Sequence, residues 1–169
     1  MGDIFKEQIV KRKPSPKDTF KRIGLILAVI VVAILAFSII PPIAPFLIVA
    51  AGFGAWYLMS YFRVEYEYAF TDGEFDIDAI YNRSRRKRLF SARVNDFEIM
   101  AHVNDKMRIN EFQSAVEVLD YSSGVVGDDS YAFLINYKGK RTKIIIEPNA
   151  VMLKALATVL TRRRLHLKP

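Results

Sequence analysis

Cysteine is absent from the 169 residues, which excludes disulfides, iron–sulfur clusters and thiolate zinc sites and fits a polar part kept on the reducing side of a membrane. Histidine occurs only as His102 and His166. The first falls on a strand position expected to face solvent and the second in a basic C-terminal stretch, so neither reads as a general base or a metal ligand. Asp120, Asp128 and Asp129 lack the alternating spacing and closing glutamate of a calcium loop and read as turn residues. A serine nucleophile elbow, a phosphate-cradling glycine loop and a dinucleotide fingerprint are also missing. No catalytic residue, cofactor site or metal site is therefore expected.

The longest gap is in charge. Residues 23–62 contain no Asp, Glu, Lys, Arg or His, and Pro41, Pro42 and Pro45 fall near the middle of the run. A hydrocarbon core about 30 Å thick takes about 20 apolar residues per helix. The run therefore predicts a transmembrane helical hairpin with spans at 23–40 and 43–62. A signal peptide has a shorter apolar core and a cleavage motif, so the hairpin is expected to be retained; the myristoylation pattern fails at Lys6. The lack of ionisable groups near the midplane argues against a one-chain carrier. Ala50, Ala51, Gly52, Gly54 and Ala55 would let the second span approach the Ala28, Ala33 and Ala36 side of the first. Trp56, Tyr57 and Tyr61 mark its headgroup-level end.

Of the net charge of +7, +4 sits in residues 1–22, with seven Lys/Arg against three Asp/Glu. This excess precedes the first span, the inter-span loop is uncharged, and Arg63 and the basic run at 83–88 follow the second span. Both termini are therefore expected on the cytoplasmic side of the cell membrane. Three segments result: a basic N-terminal arm at 1–22, the hairpin at 23–62 and a cytoplasmic domain at 64–169. Within the arm, Ile4, Phe5, Gln8, Ile9 and Arg12 recur at helical spacing, which predicts a short interfacial helix over 3–13 ended by Pro14 and Pro16, with a flexible tail as the alternative.

After Arg63 the periodicity changes to strict alternation. Val64, Tyr66, Tyr68 and Phe70 face one way and Glu65, Glu67 and Ala69 the other, the pattern of a half-buried strand. Asp72-Gly73 suits a two-residue hairpin turn, and the return strand over 74–81 puts Phe75, Ile77, Ala79 and Tyr81 on one face. The outer face then gathers Glu65, Glu67, Glu74, Asp76 and Asp78, with Glu67 opposite Asp78. Further strands are expected at 89–94, 96–103, 115–121, 131–137 and 141–147. In the second of these, Phe97, Ile99, Ala101 and Val103 point inward while Met100 and His102 point outward. Lys138-Gly139 joins the last two. Pro148-Asn149 opens a helix with Met152, Leu153, Leu156, Val159 and Leu160 on one stripe and Arg162 to Arg164 at its C-terminal end.

The most conspicuous polar motif is Arg83-Ser84-Arg85-Arg86-Lys87-Arg88. It has three readings. Arg86 and Arg88 share a strand face and can neutralise the acidic face of the preceding hairpin. The run also follows the second span closely enough to meet anionic lipid headgroups, giving Arg83, Arg85, Arg86, Lys87 and Arg88 as candidate lipid or partner contacts. Nucleic acid ranks below both, because interleaved aromatics are lacking.

Residues 68–75, Tyr-Ala-Phe-Thr-Asp-Gly-Glu-Phe, are similar to the tyr-x-leu-thr-asp-x-arg first hairpin of bacterial pleckstrin-homology-like (PH-like) domains, and the strand and helix over 143–165 are similar to the end of that fold. The chain resembles bacterial two-span membrane proteins with a C-terminal PH-like domain. The resemblance implies an α+β membrane protein in which the N-terminal two-helix transmembrane hairpin precedes a PH-like seven-stranded antiparallel β-barrel with a C-terminal helix. It implies a binding or scaffolding module and no enzyme. Eukaryotic PH domains cradle phosphoinositides in a basic loop between the first two strands; here that connection is a tight turn flanked by acids, so inositol-lipid specificity does not carry over. The expected role is a non-enzymatic membrane-anchored adaptor that holds a protein partner or anionic headgroups. The alternative is a small accessory subunit of a larger membrane transport or secretion complex, with the small-residue face of the second span as its interface.

Overall fold

The computed structural model describes residues 5–105, 107–160 and 165–166. The chain divides into two compact units, one of Pro14–Val64 with Tyr81–Arg85 and the other of Met1–Lys13, Glu65–Ile80 and Arg86–Pro169. Arg162 to Arg164 and the side chain of His166 lie outside the described residues, as does the start of the segment in which an interfacial helix was expected.

The first unit is built on helices α1, Pro16–Ile39, and α2, Ala44–Ser60. Pro16 occupies the first helical position, where its missing N–H removes nothing the helix uses, and the Asp18 carboxylate accepts from the Ser15 N–H at 3.1 Å. Pro41 and Pro42 stop α1, and α2 restarts over Pro45. The helices pack on small residues: Ala36, Ala44 and Ala55 are buried, and Ala33 and Ala51 are half-buried. Small side chains let two helix backbones approach closely. Ala28 and Ala50, expected at this contact, are exposed instead. Of the described helices only α1 is long and apolar enough to cross a membrane by length and composition; α2, at 17 residues, is shorter.

The second unit holds two sheets. Strands β1 (Phe5–Lys11), β2 (Val64–Thr71), β3 (Glu74–Tyr81) and β4 (Arg85–Arg93) form the first in the order β1-β2-β3-β4. Strands β5 (Ile99–His102), β6 (Glu117–Asp120), β7 (Tyr131–Tyr137), β8 (Lys140–Ile146) and β9 (Leu165–His166) form the second in the order β6-β8-β7-β5-β9. Two short helices complete the unit, α3 (Ile109–Gln113) and α4 (Ala150–Val159). The Asn149 side chain caps α4 by accepting from the Met152 N–H at 2.8 Å, and Met152, Ala155 and Leu156 are its buried stripe.

This architecture corrects the sequence expectation at four points. The sheets do not close into a seven-stranded barrel, and β6–β8 and β5–β9 are parallel pairs. The segment expected as an interfacial helix is β1, paired antiparallel with β2 from Phe5↔Thr71 to Lys11↔Glu65. The ladder satisfies backbone groups along the whole β2 edge, a gain that a surface helix cannot offer. Gln8 adds two long-range bonds, donating to the Glu147 carbonyl at 2.7 Å and accepting from the Asn149 N–H at 2.7 Å. Finally, β5 is buried on both faces, so His102 is not solvent-facing. The register pairs Met100 with Phe133 and Ala101 with Ala132, which places Met100 in the main core and Ile99 and Ala101 in a second cluster with Phe112 of α3. Helix α3, which follows β5, covers the face that would otherwise meet water.

The main core lies between the sheets and is aromatic. Phe97 stacks on Phe133 with centroids 4.0 Å apart, Phe75 meets both rings edge-on, and Phe90 lies 5.7 Å from Phe133. Positive-φ pairs ending in glycine turn two of the hairpins, Asp72-Gly73 before β3 and Lys138-Gly139 before β8. Tyr68 is fully buried; its hydroxyl donates to the Tyr121 carbonyl at 2.6 Å and accepts from the Glu147 N–H at 3.2 Å. Burial pushes the Tyr68 phenol far above its ordinary value, and burial likewise pushes Tyr121 up to about 12. A folded-state value raised above the unfolded value of about 10 gives stability that is complete below that pH and lost as pH rises through the folded value. An ultraviolet titration of the folded protein should therefore show Tyr121 ionising near pH 12 and Tyr68 later still, with stability falling only above about pH 10. Ionisation of all eight tyrosines in one step near pH 10 would contradict this assignment.

Candidate functional site

The basic run does not form one patch. Strand β4 begins within it at Arg85, and strand alternation sends successive cations to opposite faces. Arg86 pairs with Glu67 and reaches Asp78 at 4.0 Å. Arg88 binds Asp78 through its Nε and Asp76 through Nη1 at 2.8 Å. Glu67 and Asp78 are buried, and a buried carboxylate without a cation is strongly destabilising. These two arginines are therefore the charge balance of the β2–β3 acidic face, as the strand pattern predicts. Donation to Asp78 is also the main reason the Arg88 guanidinium is held above its ordinary value.

The other members of the run go elsewhere. Asn82 and Arg83 both adopt positive φ, at 49° and 56°, and form the tight turn between β3 and β4. Lys87 is exposed on β4. Arg85 sits with its guanidinium 5.8 Å from the centroid of the Tyr61 ring, a cation–π contact just past the end of α2. Around this contact is an open pocket of about 230 Å³ lined by Tyr57, Ser60, Tyr61, Tyr81, Asn82, Ser84 and Arg85. The Tyr57 and Tyr61 hydroxyls lie 2.7 Å apart, and Ser60 donates back to the Tyr57 carbonyl at 2.6 Å. Sequence reasoning missed this pocket because its two walls are about twenty residues apart. The only signal was the aromatic pair at positions 57 and 61, one helical turn apart, which reads equally well as a membrane-boundary marker.

The remaining polar candidates resolve as structure. The Nδ1 of His102 accepts from the Asn104 N–H at 3.2 Å, so its Nε2 donates to the Asp128 carbonyl at 3.0 Å. This buried ring fastens the loop ahead of β7 to β5. Asp120 accepts from the Ser122 N–H and hydroxyl, a local turn. Among the described residues no group of three or more His, Asp or Glu is arranged to hold a metal ion.

The family model for the bacterial PH-like domain (DUF6106) matches residues 2–165. The chain belongs to that family. No curated protein and no solved structure matches it. The match runs through β1, α1 and α2 as well as the later strands, and within the sheet unit β1 is joined to β2 by their ladder. PH-like domains are generally non-catalytic, and membership of this family suggests a scaffold or adaptor role for the α+β chain.

Proposed function

We propose that this PH-like protein is a non-enzymatic, membrane-integral adaptor. In this reading α1 and α2 both cross the bilayer, the termini are cytoplasmic, and the sheet unit presents a surface to a protein partner or to anionic headgroups. The observation that supports it is the bare apolar surface of the helices. Ile34, Phe46, Phe53 and Trp56 are 60%, 76%, 65% and 65% exposed, with most of their large apolar neighbours on both helices. Contiguous apolar surface of this extent calls for lipid or another protein. The charge-free part of α1, residues 23–39, and all of α2 are each 17 residues. At 1.5 Å per residue each leg is about 25 Å long, and the shortfall against a core of about 30 Å is of the size that local thinning accommodates.

The absence of cysteine makes the test direct. Single-cysteine variants Ile43→Cys and Asp129→Cys are labelled in intact cells with a membrane-impermeant maleimide. Residue 43 should label in intact cells and residue 129 only after permeabilisation. Equal access to both would refute the two-span arrangement. Sizing the same proteins in mild detergent separates adaptor from accessory subunit. The second reading has one observation in its favour: a Cβ at Gly52 or Gly54 would meet nothing within 4 Å, so neither glycine is required by the α1–α2 contact and both leave room for another helix. Elution within a large complex that Gly54→Leu disperses supports the subunit reading, and elution alone supports the adaptor.

A further inference from the structure

The pocket at the end of α2 has a one-sided chemistry. Its lining contains the Arg85 guanidinium, the hydroxyls of Ser60, Ser84 and the tyrosines, and the Asn82 amide, with no carboxylate. The Arg85 guanidinium lies 5.8 Å from the Tyr61 ring centroid, and with five N–H donors this single ring contact leaves donors for an acceptor. No described carboxylate pairs with it, whereas Arg86 and Arg88 each pair with two. The Tyr57 and Tyr61 hydroxyls, 2.7 Å apart, share one proton between them, so the other hydroxyl proton remains to be donated. A cation edge, hydroxyl donors and no anion make a site complementary to a phosphate. The pocket's 230 Å³, several times the share of about 30 Å³ that one water takes in the liquid, holds a phosphate and a short polyol. Its wall is the last turn of α2, beside exposed Trp56, where an amphipathic aromatic belongs at headgroup level.

We infer that this pocket binds the phosphate of an anionic phospholipid headgroup, with Arg85 as the cation and Tyr57 and Tyr61 as hydroxyl donors. The inference rests on the anchoring reading above, and it narrows the lipid contact from five basic residues to one. Two other charges of the run are committed elsewhere: Arg86 and Arg88 neutralise Glu67, Asp76 and Asp78.

The test uses the full chain in neutral detergent micelles, titrated with short-chain phosphatidylglycerol and followed by native mass spectrometry, with inorganic phosphate and glycerol phosphate as parallel probes. Arg85→Gln should weaken phosphatidylglycerol binding about tenfold or more, the loss expected for a charge-assisted hydrogen bond. Lys87→Gln removes the same charge from outside the pocket and should change binding by less than about twofold. Equal effects of the two substitutions would show general surface attraction and overturn the site. Phosphate or glycerol phosphate binding as tightly as the lipid, with the same Arg85 dependence, would overturn the lipid source. The Tyr57→Phe/Tyr61→Phe double variant keeps both rings and should also bind weakly, which preserves the test if Arg85→Gln folds poorly. Cysteine labelling at position 43 separates the two failures: an anchored protein in which Arg85→Gln matches Lys87→Gln loses only the pocket, whereas failed anchoring removes both readings.

Discussion

Deleting residues 1–13 is expected to leave a protein that is purified mainly as soluble aggregates or inclusion bodies and that lacks the cooperative unfolding transition of the full chain. Strand β1 covers seven consecutive positions of β2, and without it β2 becomes the sheet edge. That edge, Val-Glu-Tyr-Glu-Tyr-Ala-Phe-Thr, is rich in β-branched and aromatic residues and has no proline, the composition that invites edge-to-edge pairing. The deletion also removes the Lys13 N–H bond to the Ser123 carbonyl at 2.8 Å, and both Gln8 bonds to the β8–α4 junction. A finer variant isolates that last contribution. Gln8→Ala keeps the ladder but loses two bonds that span the sequence, and it should cost about 2 kcal/mol in a urea melt. A truncated protein that melts like the full chain would show that β1 is dispensable and that residues 64–169 are the folding unit after all.

What was legible in the sequence follows the range of the interaction that decides each element. The Asp72-Gly73 and Lys138-Gly139 turns were readable because two adjacent residues with φ near 50° and 80° are a local requirement. The pairing of Arg86 and Arg88 with the acids of β2 and β3 was readable because strand alternation places them together. The paired helices and the Asn149-capped helix α4 follow from composition and capping over a few turns. The arm was not readable. Phe5, Gln8 and Ile9 suit a helix locally, and only the pairing with β2, more than fifty residues on, makes them a strand. The same holds for the parallel β6–β8 pair and for β5, whose second buried face depends on Phe112. The pocket depends on a turn and a helix end meeting, which periodicity does not report.

Phe133→Ala is expected to cost about 3–5 kcal/mol, the range for removing a fully buried aromatic, and so about a fifth or more of a typical domain stability of about 5–15 kcal/mol. Phe133 is fully buried on β7 and touches the rings of Phe75 on β3, Phe90 on β4 and Phe97 in the turn before β5. It is a central residue of the core that the two sheets share, beside the Phe90–Tyr137 contact between the same sheets. Its stacked contact with Phe97 has an interplanar angle of 12°, and its neighbours are rigid rings that cannot collapse far into the space it leaves. Phe112→Ala makes the matching control. That ring covers only the second cluster on the outer face of the β5–β7 sheet, from a five-residue helix that can shift. Its loss should fall toward the lower end, about 2–3 kcal/mol. Urea unfolding followed by near-ultraviolet circular dichroism measures both. If the two variants lost equal stability, the core would be shared between the faces of that sheet; a loss below about 1 kcal/mol for Phe133→Ala would mean that the sheets hold together without their aromatic contact.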